Sequence, residues 1–437
     1  MLIPNELVVR CLGQRTVDSP LKLSTMRGDG IGDFVPDDAK MLFRPDFSPR
    51  DPIRADLSFE KAGPRQQLYF DPASTTAAIV TCGGLCPGLN NVIRSVFFQL
   101  HHNYGVRNVV GIRYGYQGLN PVHGVPPVRL TPEFVESIHK LGGTVLGSSR
   151  GSEEPRVMVD FLERERIDIL FCVGGDGTQR GSHAIAEEVT RRGLPVAIVG
   201  IPKTIDNDLN YVWRSFGYYS ALDKAREILD GAHAEAKGVP NGIALVKLMG
   251  RHAGFIAAGA TLASQEVNFT LIPEIPFELE GEHGFLHCLK RRILNRGHAV
   301  IVVAEGAGQD LVWQGEAGTD ASGNVKLQDI GPFLRDKILD YFARERISAG
   351  MKYFDPSYVI RSVPANTDDA LLCDRLARNA VHAAMAGKTD VLMGLWYNTF
   401  IHVPISLAIR ETKRLSPESE VWMSVLASTG QPAQFCR

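Results

Sequence analysis

The sequence predicts an α/β protein whose mostly parallel sheets are covered by helices. Short β-branched runs recur at 76–82, 108–113, 168–173, 195–201, 242–248, 268–272, 299–304 and 391–395. They are too continuously apolar to have one wet face, as befits strands buried on both sides. Between them, stretches at 91–102, 178–191, 217–236, 280–295, 333–344 and 368–386 carry helical spacing, and this alternation is the pattern of βαβ units. Several runs end in loops of glycine and charged residues, the place where open α/β sheets bind their ligands.

The segment 1–75 differs. It is rich in Pro, Asp and Arg and has no sustained period across 43–54, so it reads as an N-terminal extension that packs on the core, with 61–72 leading into the first strand. A second interruption at 309–328 holds Gly, Asp, Asn and Ser and reads as a surface hairpin or loop. At 437 residues, 44 % hydrophobic and 22 % charged, the chain is long enough for two or three domains. A formal net charge of −2 gives no basic field to draw it to nucleic acid or anionic lipid, so small-molecule partners are expected. The first ten residues lack a basic segment followed by an apolar core, and the apolar run 253–263 is too short to span a bilayer. The seven cysteines form no CxxC pair and read as reduced thiols of a cytoplasmic protein. Cys82 and Cys86 surround a turn made by Gly83, Gly84 and Pro87 and are assigned no metal.

The loops carry the chemistry. After the first run come Gly83, Gly84, Pro87 and Gly88, whose backbone can approach a phosphate while the following helix adds partial positive charge. No GK[ST] follows, so this is not a Walker loop. After 168–173 come Gly174, Gly175, Asp176, Gly177 and Thr178, a carboxylate within a glycine nest that suits Mg²⁺ together with the phosphates it bridges. The next loop, 202–208, holds Lys203 and Thr204 as donors. If it is extended, Asp206 and Asp208 project to one side, one as base and the other shaping charge or metal binding nearby. Arg251 in the loop after 242–248 offers a planar fork to phosphate or to transition-state charge, and Arg150 in 146–151 is placed where a polyphosphate could pass.

These loops in this order, GGLCPGLN at 83–90, GYQGL at 115–119, LGSSR at 146–150, GGDGT at 174–178, PKTIDND at 202–208, MGR at 249–251 and AEG at 304–306, resemble the phosphofructokinase family from about residue 76 to the C-terminal region. GGDGT alone is shared with lipid and NAD kinases; its combination with PKTIDND and MGR is highly specific. The resemblance implies two similar Rossmann-like domains with the active site in the cleft between them. It places an ATP-binding larger domain at 76–217 and 361–403 and a fructose 6-phosphate-binding smaller domain at 218–360 and 404–437. It implies Asp206 as catalytic base with Asp208 beside it, and Asp176 as the Mg²⁺-associated carboxylate. Gly83 would give its amide to the transferred phosphoryl group, helped by Lys203, Thr204, Arg150 and Arg251. On the ATP side Gly151, Gly175, Gly177 and Thr178 join them, with Tyr116 flanking the adenine. The sugar side takes Thr204, Asp206, Met249, Gly250, Arg251, Glu305, Lys352, Tyr358 and Arg361.

Three positions depart from the short bacterial pattern. Tyr358 stands where His is usual, Lys352 where an Arg from a neighbouring subunit is expected, and Gly242 where another such Arg is expected. The long N-terminal segment, with AGPR, YFDP and KYFDPSYVIRS, is more similar to the long ATP-dependent enzymes of plants and trypanosomatids. The resemblance therefore implies a cytoplasmic, glycolytic, allosteric homo-oligomer, a tetramer or dimer, that uses Mg²⁺ with ATP, though no particular effector follows from it. A pyrophosphate-dependent enzyme and a catalytically silent regulatory homologue remain as rivals.

Overall fold

The computed structural model describes residues 2–50, 52–151, 153–312, 318 and 325–436. The chain divides into two compact units, one of Met1–Thr204, Leu209–Gly217 and Val363–Thr412, the other of Ile205–Asp208, Tyr218–Ser362 and Lys413–Arg437.

The first unit is built on a nine-stranded sheet. Its middle is parallel, in the order Val391–Trp396, Ala197–Pro202, Ile169–Gly174, Thr76–Thr81, Asn108–Ile112. These are the apolar runs of the sequence, and Ile169–Gly174 and Ala197–Pro202 are buried along their whole length, as two-sided cover by helices requires. The helices Leu89–Phe98, Asp176–Arg192 and Thr367–Met385 fall where their periodicity put them, and the first runs on into a π-helical turn, Gln99–Tyr104.

The N-terminal segment does more than pack on this core. Lys40–Leu42 and Ser58–Lys61 extend the sheet antiparallel, the latter pairing with Thr399–Pro404. Behind that pairing sits a buried ionic cluster. The Glu60 carboxylate accepts Arg65 at 2.9 Å, Lys388 at 2.8 Å and His402 at 3.1 Å. Burial works against its charge, yet the hydrogen bond and charge of His402 and the Lys388 ammonium hold the carboxyl far below its usual range. Removing one partner from such a cluster leaves an uncompensated buried charge, at a cost of about 3–5 kcal/mol.

The second unit has a four-stranded, all-parallel sheet in the order Phe269–Leu271, His298–Ala304, Gly242–Leu248, Gly350–Phe354. The helices Tyr218–Lys237, Phe255–Ser264, Phe285–Arg296, Ile330–Arg344 and Glu420–Thr429 accompany it. One face of the sheet packs Phe285, Leu289, Leu334 and Ile338 against Ile243, Ile301 and Val303. Of the interruption at 309–328, Gln309–Val312 forms a helical turn; residues 313–317 and 319–324 lie outside the described residues. Among the described residues no helix is long and apolar enough to cross a membrane.

Candidate active site

On the first unit, three neighbouring parallel strands deliver their C-terminal loops to one edge, and hydrogen bonds knit those loops together. Gly83, at φ +83°, turns the chain directly after Thr76–Thr81. Its carbonyl accepts the Ser148 hydroxyl at 2.6 Å and its amide donates to the Ser149 carbonyl at 3.0 Å. The Lys203 ammonium, on a residue only 6 % exposed, donates to the Gly84 carbonyl at 2.6 Å, and the Lys203 amide donates to Gly174 at 3.0 Å. Buried Gln179 donates to the Gly174 carbonyl at 3.0 Å. Arg150 lies over this loop, its guanidinium 3.5 Å from where a Gly84 side chain would begin.

Gly175 caps the helix Asp176–Arg192 without a side chain to bond its first amides, and Asp176 is its first residue. The Asp176 carboxylate pairs with Arg180 at 2.9 Å, both side chains substantially exposed at 39 % and 55 %. A surface pair of that kind is worth about 0–1 kcal/mol, so the carboxylate can be drawn to a cation. At Gly177 an added Cβ would meet nothing within 4 Å, whereas at Gly174 it would strike Thr178 at 2.1 Å. Gly174 is therefore bare for packing, and Gly177 leaves open space.

Two residues given ATP-side roles by the resemblance already have partners within this unit. Tyr116, expected to flank an adenine, is 4 % exposed within the apolar core around Ile185 and Val189. Its hydroxyl donates to the Thr178 carbonyl at 2.7 Å, with Ser182 Oγ at 3.0 Å, and burial pushes its ionisation well above the usual tyrosine range. It supports the Gly174–Thr178 turn from beneath; the exposed aromatic nearby is Tyr114, at 42 %. The Gly83 amide, expected to be free for a phosphoryl oxygen, is engaged by Ser149.

Beyond Pro202, which ends its strand, the segment turns at Ile205–Asp206 rather than running on extended, and Asn207 sits at φ +54°. Burial nonetheless alternates, with Thr204, Asp206 and Asp208 partly exposed while Ile205, Asn207 and Leu209 are buried. The two aspartates belong to the second unit and Lys203 and Thr204 to the first.

On the second unit, Met249, Gly250 at φ +131° and Arg251 follow the strand Gly242–Leu248. The Arg251 guanidinium donates to the Val325 carbonyl. Gly306 backs this turn, because any Cβ there would overlap the Arg251 carbonyl at 1.9 Å. Burial pushes the Glu305 carboxyl up, opposed by the nearby charges of Lys247, Arg251 and Arg361. Tyr358, 72 % exposed, carries Arg361 over its ring at 4.5 Å. Lys352 is not gathered with these residues. It pairs in register with Ala244, five residues before Met249, and lies half-exposed with Glu235 at 3.7 Å.

Sequence reasoning missed Lys247. Its ammonium bridges Asp329 at 2.8 Å and Asp355 at 2.9 Å, and Asp355 also accepts the Ser357 hydroxyl at 2.6 Å at the start of the helix bearing Tyr358 and Arg361. Burial disfavours the ammonium, but those carboxylates more than compensate and raise its ionisation. The signal was present as one lysine in an otherwise apolar strand.

Glycine-bared loops, an exposed helix N-terminus and clustered basic side chains at strand ends define an α/β protein that handles phosphate groups. Residues 76–384 match the family model described as Phosphofructokinase. An ATP-dependent 6-phosphofructokinase of Borreliella burgdorferi is 52 % identical over 383 residues, 86 % of this chain and 86 % of that protein. One from Amycolatopsis methanolica is 47 % identical over 99 % of this chain and 96 % of its own, and one from Trypanosoma cruzi is 48 % identical over 84 % and 76 %. In fold, the chain is similar to a crystal structure of a pyrophosphate-dependent phosphofructokinase from Marinobacter aquaeolei, with a TM-score of 0.67 at 20 % identity, covering 82 % of this chain and 91 % of that one. The chain belongs to the phosphofructokinase family.

Proposed function

We propose that the protein is an ATP-dependent 6-phosphofructokinase that transfers the γ-phosphoryl group of Mg-ATP to the 1-hydroxyl of fructose 6-phosphate, releasing fructose 1,6-bisphosphate and ADP. The observation that carries the choice of donor is the open space at Gly177, the second residue of the helix Asp176–Arg192. A nucleotide must pass its α-phosphate there, and pyrophosphate has none to pass. The Lys203 ammonium is tied to the Gly84 carbonyl, an arrangement compatible with either donor.

Asp206 takes the proton of the attacking hydroxyl. Arg251, Lys203 and Thr204 offset charge on the transferring group, and Arg150 holds the polyphosphate against the Gly83–Gly84 turn. Transfer of this kind depends on positioning and charge stabilisation more than on covalent chemistry. Asp176 is the residue that would hold Mg²⁺: its carboxylate is reachable and its present partner is a solvent-screened arginine. The metal supplies neutralisation of phosphate charge. On the sugar side Glu305 and Met249 contact the hydroxyls, while Arg361, stacked on Tyr358, binds the 6-phosphate. Lys352 serves a neighbouring copy in a homo-oligomer, and the enzyme works in the cytosol. A coupled assay with fructose 6-phosphate and each donor tests the whole reading. Turnover with Mg-ATP and none with pyrophosphate is expected; turnover with pyrophosphate alone reverses the donor, and none with either leaves the silent homologue.

A further inference from the structure

Two loops of the second unit carry residues assigned above to the chemistry: 205–208, with Asp206 and Asp208, and 249–254, with Arg251. A short stretch near the C-terminus, 413–415, bonds the first directly and is linked to the second through Glu274. The Lys413 amide donates to the Asp208 carbonyl at 2.8 Å. Its ammonium lies 5.1 Å from the centre of the ring of Phe255, the first residue of the helix Phe255–Ser264, whose carbonyl is also held by the Tyr218 hydroxyl at 3.0 Å. Two residues on, the Leu415 amide donates to Glu274 Oε1 at 2.8 Å. The same carboxylate accepts the Gly254 amide, at 3.0 Å to Oε1 and 3.1 Å to Oε2.

Gly254 is the N-cap of that helix and has no side chain to cap it. A Cβ there would stand 2.5 Å from the Ile272 side chain and 3.0 Å from Glu274 Oε2, so the bare residue lets both come in close. An anion at a helix N-terminus is favoured both by the free amides and by the helix dipole. Glu274 thus grips the exit of the Arg251 loop with one set of contacts and, through Leu415 and the 413–415 stretch, the backbone of Asp208 with another.

We propose that Glu274 is a positioning residue for phosphoryl transfer, holding Arg251 and the Asp206–Asp208 segment in a fixed mutual geometry. The proposal rests on the function given above. A carboxylate suits the place because it is charged and accepts at both oxygens: a glutamine could keep one oxygen toward both amides, but it would turn an N–H₂ group toward Gly254 at the other position and lose the negative charge at the helix end. Misplacement by about 1 Å lowers turnover on the order of 10²-fold.

Three measurements on Glu274→Gln test it. First, kcat should fall about 10–100-fold while the KM for ATP stays within about 2-fold. Second, in an Arg251→Lys background the same change should alter kcat by less than about 3-fold, because residues acting through one another are non-additive. Third, amide exchange followed by mass spectrometry without substrates should quicken in 205–208 and 249–254 together. Unchanged kcat, fully multiplicative effects, or exchange that quickens in one segment alone overturns the proposal. Inactivity of the parent toward fructose 6-phosphate removes the functional reading and the catalytic role of Glu274 with it, and the exchange result then still reports whether the tether exists. Should Glu274→Gln not fold, Glu274→Asp, which keeps a carboxylate at the helix end but shortens its reach, is put through the same three measurements with the same outcomes deciding.

Discussion

Gly177→Asp should weaken the use of ATP strongly while leaving the fold intact. The position is the second residue of the helix Asp176–Arg192 and an added Cβ meets nothing within 4 Å, so no neighbour has to move. Exchanging glycine for aspartate in a first helical turn improves helix propensity slightly and adds about 0.3–1 kcal/mol of favourable dipole interaction. The thermal midpoint should therefore hold or rise. Against the nucleotide, a carboxylate about 4–6 Å from the α-phosphate at an effective dielectric constant of about 20 is repelled by roughly 3–4 kcal/mol. That corresponds to a rise of about 10²–10³-fold in the ATP half-saturation concentration. Steady-state kinetics with ATP varied at saturating fructose 6-phosphate read this directly. Gly177→Asn separates charge from volume, since it fills the same space without repulsion and should lose much less. An Asp variant that folds and keeps ATP use within about 3-fold of the parent would mean that the α-phosphate does not pass Gly177, and the argument for ATP from this residue would be lost.

Asp206→Ala should lower kcat by about 10²–10⁴-fold with both KM values nearly unchanged, as expected for loss of a general base; a variant within a few-fold of the parent removes Asp206 from the mechanism. Arg361→Met removes a charge-assisted phosphate contact worth about 1.5–3 kcal/mol, so the half-saturation concentration for fructose 6-phosphate should rise at least tenfold while that for ATP stays put; equal changes in both would mean that Arg361 does not read the 6-phosphate. His382 is buried and its Nδ1 lies 2.7 Å from the Tyr104 hydroxyl. Burial first, then the charges of Arg378 and Arg65, lower its pKa to about 3. Between that value and the unfolded pKa of about 6.5 the unfolded chain binds the extra proton, so this contribution is complete above about pH 6.5 and is lost as pH falls, by about 2 kcal/mol at pH 5. Denaturant titrations at pH 7.5 and 5 should show that loss, and His382→Gln should flatten it; an unchanged slope in the variant would place the titration elsewhere.

The sequence by itself determined most of the parallel strands and the longer helices between them, the loops at the strand ends and the family, but not the strands Gly350–Phe354 and Thr399–Pro404 or the helices Phe255–Ser264 and Glu420–Thr429. Those features are local: an apolar run such as 242–248 declares a two-sided strand, and a glycine at Gly83 or Gly250 declares a turn with positive φ, from neighbours in the chain alone. Tertiary structure decided what no neighbour encodes. Lys388 and Glu60 meet across 328 residues of sequence, and that pairing, with Arg65 and His402, is what makes an aperiodic N-terminal segment the edge of a sheet. Tyr116 sits in a loop whose pattern suits either a ligand face or a support, and only the packing of Ile185 and Val189 around it turned the ring inward. The Gly83 amide was legible as a donor, but its partner, the Ser149 carbonyl, comes from a loop with no strand of its own to announce its position. Lys247 likewise showed its charge in the sequence but not its partners, because Asp329 and Asp355 reach it from separate loops. Hydrogen bonding and burial depend on which distant segments converge, and that is fixed by the packing of whole elements rather than by the residues at the site.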